Sequence, residues 1–387
     1  MSFTRRATAS AAVALLFAAG LAGCTSDDEE PTGRTDVVIG VDLASSSAVD
    51  TAYSRALQLM VEQINESGSL GDKRLVLRIQ DNRSDPASSL RNISRFADDP
   101  SVVAVVTGGC NECVVGAAKT INDKQIPTIA LASADNVAIP VADRRYVFKI
   151  GPNSADSAAA MVAELTRTRT EKVAVLHSDD LYGQGGSQAL AAELAKAGIA
   201  IVGSRSVNPT SIDITQTVGT LVDAQPQALL VLAGPGQATL ATTSAKAAGF
   251  EGRVYLDANA AGDLFIPQQA AAATNDATMV FTQILAIDEV IATTPAKAAR
   301  KQWFRDYTSR YGSYSGVASF AADAADLIGD GVARSGTDRA RLRDLIETSQ
   351  VDGLSGPIRM TPDNHSGLMP QALTLLVARS GRWRLLT

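Results

Sequence analysis

Residues 102–131 read VVAVVTGGCNECVVGAAKTINDKQIPTIAL. Val102 to Val106 is a continuous apolar run, the pattern of a strand buried on both faces. Val114 to Asp123 reads as a helix and Ile126 to Leu131 as a second apolar strand. A strand, a helix and a strand in series imply parallel pairing with a right-handed crossover. Upstream the rhythm is the same: strand Val37 to Val41, a helix over Ala48 to Glu66, strand Leu75 to Ile79 and a helix over Ser88 to Ala97. In the first helix Ala52, Ala56, Leu59, Met60 and Ile64 fall on one side.

The alternation restarts after Tyr146. Helices are expected at Ala155–Thr166, Gln188–Ala197, Asp213–Asp223 and Ala238–Ala248. Strands are expected at Lys172–Leu176, Ala200–Val207, Ala228–Leu232 and Val254–Leu256. One more strand follows near Val280, then helices over Ala296–Arg310 and Val317–Ala333 and strands to the end. The class is α/β, with two doubly wound parallel-sheet lobes in series.

Composition narrows the function. The 387 residues are 45% apolar and 20% charged, too apolar for disorder and too mixed for a membrane bundle. A net charge of −6 argues against a nucleic-acid partner, and three Cys with two His leave little for a zinc site. No cofactor or metal is expected.

Arg5 and Arg6 precede an apolar run from Ala7 to Gly23, shorter than the ~20 residues of a spanning helix. With its basic start the run reads as a signal peptide over residues 1–23, and the export route, twin-arginine or general, stays open. Leu21-Ala22-Gly23-Cys24 resembles the bacterial lipobox, which implies cleavage before Cys24, acylation of its thiol with palmitate or a similar chain, and an extracytoplasmic, lipid-anchored protein. Residues 24–35, with Asp27-Asp28-Glu29-Glu30, read as an acidic tether.

In open α/β sheets ligands bind beyond the carboxyl ends of the strands. That directs attention to the loops Leu43–Ser47, Gly108–Cys113, Ala132–Asn136, His177–Gly186, Gly234–Gln237 and Asp257–Gly262, rich in Gly, Ser, Asn and Asp. Trp303 and Trp383 fall away from these loops, which disfavours a carbohydrate stacked on an aromatic face.

Several stretches together resemble the branched-chain amino-acid-binding proteins, the receptors of ABC importers. They are Ile64-Asn65-Glu66-Ser67-Gly68, Asp81-Asn82-Arg83-Ser84-Asp85-Pro86, His177 followed by Tyr182-Gly183-Gln184-Gly185, Ala247-Ala248-Gly249-Phe250, and Gly356 to Asp363. The resemblance runs from about Asp36 to Met360 and implies the type 1 periplasmic-binding fold, whose two lobes are joined by a hinge. Lobe one is then 36–150 plus 284–353, and lobe two 151–283 plus 354–387. It also implies ligand contacts at Asn111, Glu112, Ala132, Ser133 and Asp135 of lobe one, with Tyr182 of lobe two covering the ligand. The acidic partner of the ligand ammonium falls at Asp257 or Asn259. Pro235 stands where the family has an aromatic residue, and the loop at 108–113 lacks its Ser-Gly-Pro, departures that argue against a plain Leu, Ile or Val ligand.

Cys110 and Cys113 admit a redox pair, half a metal site or a disulfide, and the oxidising exterior that the lipobox implies favours the disulfide. The family often pairs a Cys of this loop with one in the Asp-Pro turn, where Ser84 stands here. A hydrolase using His177 is the enzymatic rival, but Gly185-Gly186-Ser187-Gln188-Ala189 lacks the last Gly of a nucleophile elbow. The expectation is a solute-binding lipoprotein, not an enzyme, that delivers an amino acid or related zwitterion to an ABC permease. A sensory lipoprotein of the same fold is the alternative.

Overall fold

The computed structural model describes residues 34–263 and 266–386. The leader, Cys24 and nearly all of the acidic tether lie outside the described residues. The first half forms β1 (Thr35–Leu43), α1 (Ala48–Ser67), β2 (Lys73–Asp81), α2 (Pro86–Asp98), β3 (Val102–Thr107), α3 (Asn111–Asp123), β4 (Thr128–Ala130) and β5 (Val147–Lys149). These strands make one parallel sheet in the order β2-β1-β3-β4-β5. All six residues of β3 are buried, as its unbroken apolar run requires.

The second sheet draws on α4 (Ser154–Arg167), β6 (Lys172–Ser178), α5 (Leu181–Ala197), β7 (Ala200–Val207), α6 (Thr215–Asp223), β8 (Ala228–Leu232), α7 (Pro235–Ala247), β9 (Arg253–Leu256), α8 (Gln268–Thr274) and β10 (Thr278–Thr282). The chain then runs through α9 (Pro295–Tyr311), α10 (Ala318–Ser335), α11 (Arg339–Glu347) and a small antiparallel pair, β11 (Gln350–Asp352) with β12 (Pro357–Arg359). It ends in β13 (Leu373–Arg379) and β14 (Arg382–Leu385), giving the order β14-β13-β10-β9-β8-β6-β7.

The expected α/β architecture with parallel sheets is present, with one difference in the second sheet. β13 runs antiparallel to β10, and β14 antiparallel to β13. Ser380 and Gly381 both take positive φ (53° and 72°), the two-residue turn that a tight hairpin needs and that a parallel crossover cannot use. A second finding concerns residues 364–367. Ser366 bridges Lys149 of β5 in parallel, and the amides of Lys149 and Gly367 bond His365 and Lys149 carbonyls, so this stretch extends the first sheet although it lies after residue 353.

Capping sets where the helices start. Ser47 accepts from the Asp50 amide at the head of α1, and Asp85 from Ser88 at the head of α2, where Pro86 occupies the first turn. Asp180 caps α5 by accepting from Gly183 at 2.8 Å. This helix therefore begins at Leu181, and the glycines at 183, 185 and 186 lie inside it instead of forming the expected turn. A Cβ on Gly183 would stand 2.0 Å from the Ser178 carbonyl oxygen, so glycine is what lets the first turn close over the end of β6. α3 likewise starts at Asn111 and α7 at Pro235, inside stretches that read as loops.

Candidate functional site

The loops at the carboxyl ends of the strands converge between the two sheets. On the first sheet, the buried Asp50 accepts from the amides of Ala44 (2.7 Å) and Gly109 (2.9 Å), which ties the loop after β1 to the loop after β3. Burial raises the Asp50 carboxyl above its ordinary range, and those two amides oppose the rise. A Cβ on Gly108 would lie 2.4 Å from an Asp50 oxygen, so the closeness depends on glycine. Cys110 and Cys113 are joined as a disulfide across the head of α3.

Most of the site residues expected from the sequence are engaged by other groups of the protein, and one pair of them, Tyr182 and Asp257, by each other. Asn111 is buried and its Oδ1 accepts from the Ala134 amide at 2.8 Å, holding the loop after β4. Glu112 Oε1 accepts from the Leu181 amide at 3.3 Å, a contact from α3 of the first sheet to the head of α5. Ala132 is wholly buried and Ser133 half-buried. Asp135 accepts from the Ser154 amide at 3.1 Å and lies 3.5 Å from Lys149 Nζ. Lys149 is fully buried; its ammonium also donates to the Pro152 carbonyl at 2.7 Å and Asn153 Oδ1 at 3.1 Å.

Tyr182 and Asp257 meet. Tyr182 is buried in the same apolar cluster as Ala132, Ala134 and Val137 of the first half, and its hydroxyl donates to Asp257 Oδ2. Asp257 is 2% exposed and its Oδ1 has no hydrogen-bond partner. Burial pushes this carboxyl up to about 7, against the pull of the Tyr182 hydroxyl and the Asn259 and Ala260 amides. Burial and the neighbouring Asp257 hold the Tyr182 phenol well above its ordinary range. Of the two acidic-position candidates, Asp257 is therefore the one paired with Tyr182, and Asn259 stands half-buried in the short turn that follows. His177 turns its Nδ1 to the adjacent Ser178 carbonyl at 3.0 Å, while the Ser178 hydroxyl donates to Asp180. That is a structural arrangement and not a nucleophile activated by a base.

Only about 10 Å³ of space remains beside Tyr182 and Asp257. Larger openings lie elsewhere: one of about 510 Å³ beside Asp135, Asn153 and Asp156, one of about 400 Å³ beside Phe250 and Asn275, and two that adjoin each other toward α1 and α7. Of the adjoining pair, one of about 310 Å³ is lined by Ala48, Thr51, Ala52 and Arg55 of α1, by Tyr307, and by Asp263, Ser313 and Ser315. The other, about 230 Å³, shares Ala48, Asp263 and Ser315 and adds Val49, Pro235, Thr239, Ile266 and Trp383. Of these residues around the adjoining pair, Pro235 alone lies in a loop that the sequence singled out, and none was named there as a ligand contact. Trp383, expected away from the binding loops, is brought beside Pro235 because the antiparallel β13–β14 hairpin folds against β10. Among the described residues no group of three His, Cys, Asp or Glu could hold a metal, and no helix is long and apolar enough to cross a membrane.

A family of sequences described as periplasmic binding protein matches residues 38–382, spanning both sheets. The chain belongs to the periplasmic binding protein family. Among curated relatives, an amino acid binding protein of Pseudomonas aeruginosa is 26% identical over 168 residues, 42% of this chain and 45% of that protein. The chain spans about half the length of the curated relatives it matches. An extracellular ligand-binding receptor from Rhodopseudomonas palustris HaA2 superposes with a TM-score of 0.82 at 20% identity, over 90% of this periplasmic binding protein and 99% of that chain. An ABC transporter solute-binding protein of R. palustris, solved in complex with benzoate, gives 0.79 at 15% identity over 91% and 95%. Both superpositions describe the fold. They agree with a periplasmic binding protein built as two sheets with a seam between them.

Proposed function

We propose that this periplasmic binding protein is an extracytoplasmic, lipid-anchored receptor of an ABC importer that encloses a small amphipathic ligand, an amino acid or a related zwitterion, between its lobes. In this reading lobe one is 36–150 plus 284–353 and lobe two 151–283 plus 354–387, except that residues 364–367 join the sheet of lobe one, with Cys24 carrying the lipid. The observation that carries it is the Tyr182–Asp257 pair, which comes from the second sheet and is buried against Ala132, Ala134 and Val137 of the first half. Burying a carboxylate in this seam is expensive, so the closed form is one that a bound solute can select and a permease can read. The relative named an amino acid binding protein and the structural neighbour holding benzoate support a small organic solute.

A thermal-shift screen of the chain against the natural amino acids and aromatic carboxylates tests this. A true ligand stabilises by about 2.7 kcal/mol at a hundred times its dissociation constant, with the shift growing as the logarithm of concentration. A flat response to every solute overturns the reading. His177→Ala is expected to bind the same ligand unchanged, and ligand recovered after long incubation with wild-type chain is expected to be intact; turnover lost in that variant would make the protein an enzyme.

A further inference from the structure

Most polar groups of the seam are already engaged by the protein, Asn111 with Ala134, Asp135 with Ser154 and Tyr182 with Asp257, although Asp257 Oδ1 is left without a hydrogen bond. The two openings beside α1 are different. Arg55 of α1 and Asp263, which follows β9, line the same cavity of about 310 Å³ from the two halves of the fold. Neither takes part in an ion pair among the described residues; the Arg55 guanidinium instead lies 5.4 Å from the Tyr311 ring centroid. The adjoining cavity of about 230 Å³ is walled mainly by apolar groups, among them Val49, Pro235, Ile266 and Trp383. Ala48, Asp263 and Ser315 border both cavities.

We infer that this double chamber is the ligand site, with the ligand carboxylate on Arg55, its ammonium on Asp263, and an apolar side chain seated against Pro235 and Trp383. The inference rests on the solute-binding reading and moves the contacts away from the Asn111, Ser133 and Asp257 positions. A cation and an anion that line one cavity and form no ion pair among the described residues are the complement of a zwitterion. A lone carboxylate leaves Asp263 without a partner, a lone amine leaves Arg55 without one, and a sugar satisfies neither charge. The proximity of the two charges is felt already: burial raises the Asp263 carboxyl, and Arg55 pulls it back. The apolar annex adds the side-chain preference, because a methylene-rich or aromatic group gains by leaving water there.

Calorimetric titration of the full chain with L-leucine, L-phenylalanine, 3-phenylpropanoate, 2-phenylethylamine and benzoate tests it. A zwitterion is expected to bind at least about tenfold tighter than either phenylalanine analogue lacking one charge. Arg55→Gln is expected to abolish discrimination against 2-phenylethylamine, and Asp263→Asn discrimination against 3-phenylpropanoate. Both side chains are exposed, so circular dichroism of these variants is expected to match wild type. Thr239→Phe, which fills the apolar chamber, is expected to weaken both amino acids. Unchanged zwitterion binding in Arg55→Gln and Asp263→Asn overturns the inference and leaves the receptor reading standing, as does a singly charged probe that binds tightest. Failure of wild-type chain to bind any probe overturns the inference, and failure across the wider thermal-shift panel overturns the receptor reading with it.

Discussion

Asp257 carries the most unusual chemistry of any side chain in the seam. Its carboxyl is nearly enclosed, has one hydroxyl donor and is raised from 3.8 to about 7. The folded protein therefore holds this proton more tightly than the unfolded chain does. Its contribution favours folding below about pH 4 and is lost as the pH climbs from there through about 7. The loss is at most about 4 kcal/mol, at ~1.4 kcal/mol per pH unit. Asp257→Asn is expected to flatten that part of the stability–pH curve in urea unfolding followed between pH 4 and 8. An unchanged slope would mean that Asp257 titrates as an ordinary surface acid. Tyr182 and Asp257 were both legible as site candidates from the sequence. Their engagement with each other was not, because 75 positions separate them and only the fold closes that distance.

Among the elements, α5 is where pattern reading and structure part. Its glycines at 183, 185 and 186 suggest a turn, since glycine is a poor helix former. The structure starts the helix at Leu181 because Asp180 caps it and because the end of β6 leaves no room for a side chain at 183. Gly183→Ala improves helix propensity by up to about 1 kcal/mol and still is expected to destabilise by about 1–3 kcal/mol, as overpacking does. Equilibrium denaturation measures the sign: a gain in stability would show that the first turn of α5 can shift away from Ser178. The helices α8 and α11 escaped the sequence reading for a related reason. One is short and Ala-rich; the other is nine residues long and strongly charged, its buried face reduced to Leu342 and Ile346.

For the whole molecule the question is how firmly the two halves hold together. The Glu112–Leu181 contact is exposed and contributes little on its own, about 0–1 kcal/mol by analogy with surface pairs. Tyr182 adds an apolar bridge, because its ring sits in the cluster of the opposite half, beside a main core cluster that itself holds residues of both sheets. Tyr182→Ala is expected to shift the population toward an open form, seen as a larger radius of gyration in small-angle scattering without ligand. Identical scattering from variant and wild type would show that other contacts hold the halves closed.

The alternation of strands and helices, the parallel pairing of most strands and a Cys110–Cys113 spacing suited to a disulfide follow from the sequence by itself. Period and hydropathy are local properties and survive without knowledge of partners. The tertiary structure decided which polar side chains are consumed by the protein and which face open space. Asn111 and Asp135 turn inward to hold loops, while Arg55, Asp263 and Trp383, far apart along the chain, come to border connected cavities. Whether a charge is paired or left waiting depends on what distant elements bring to it, and that is settled only when the sheets pack.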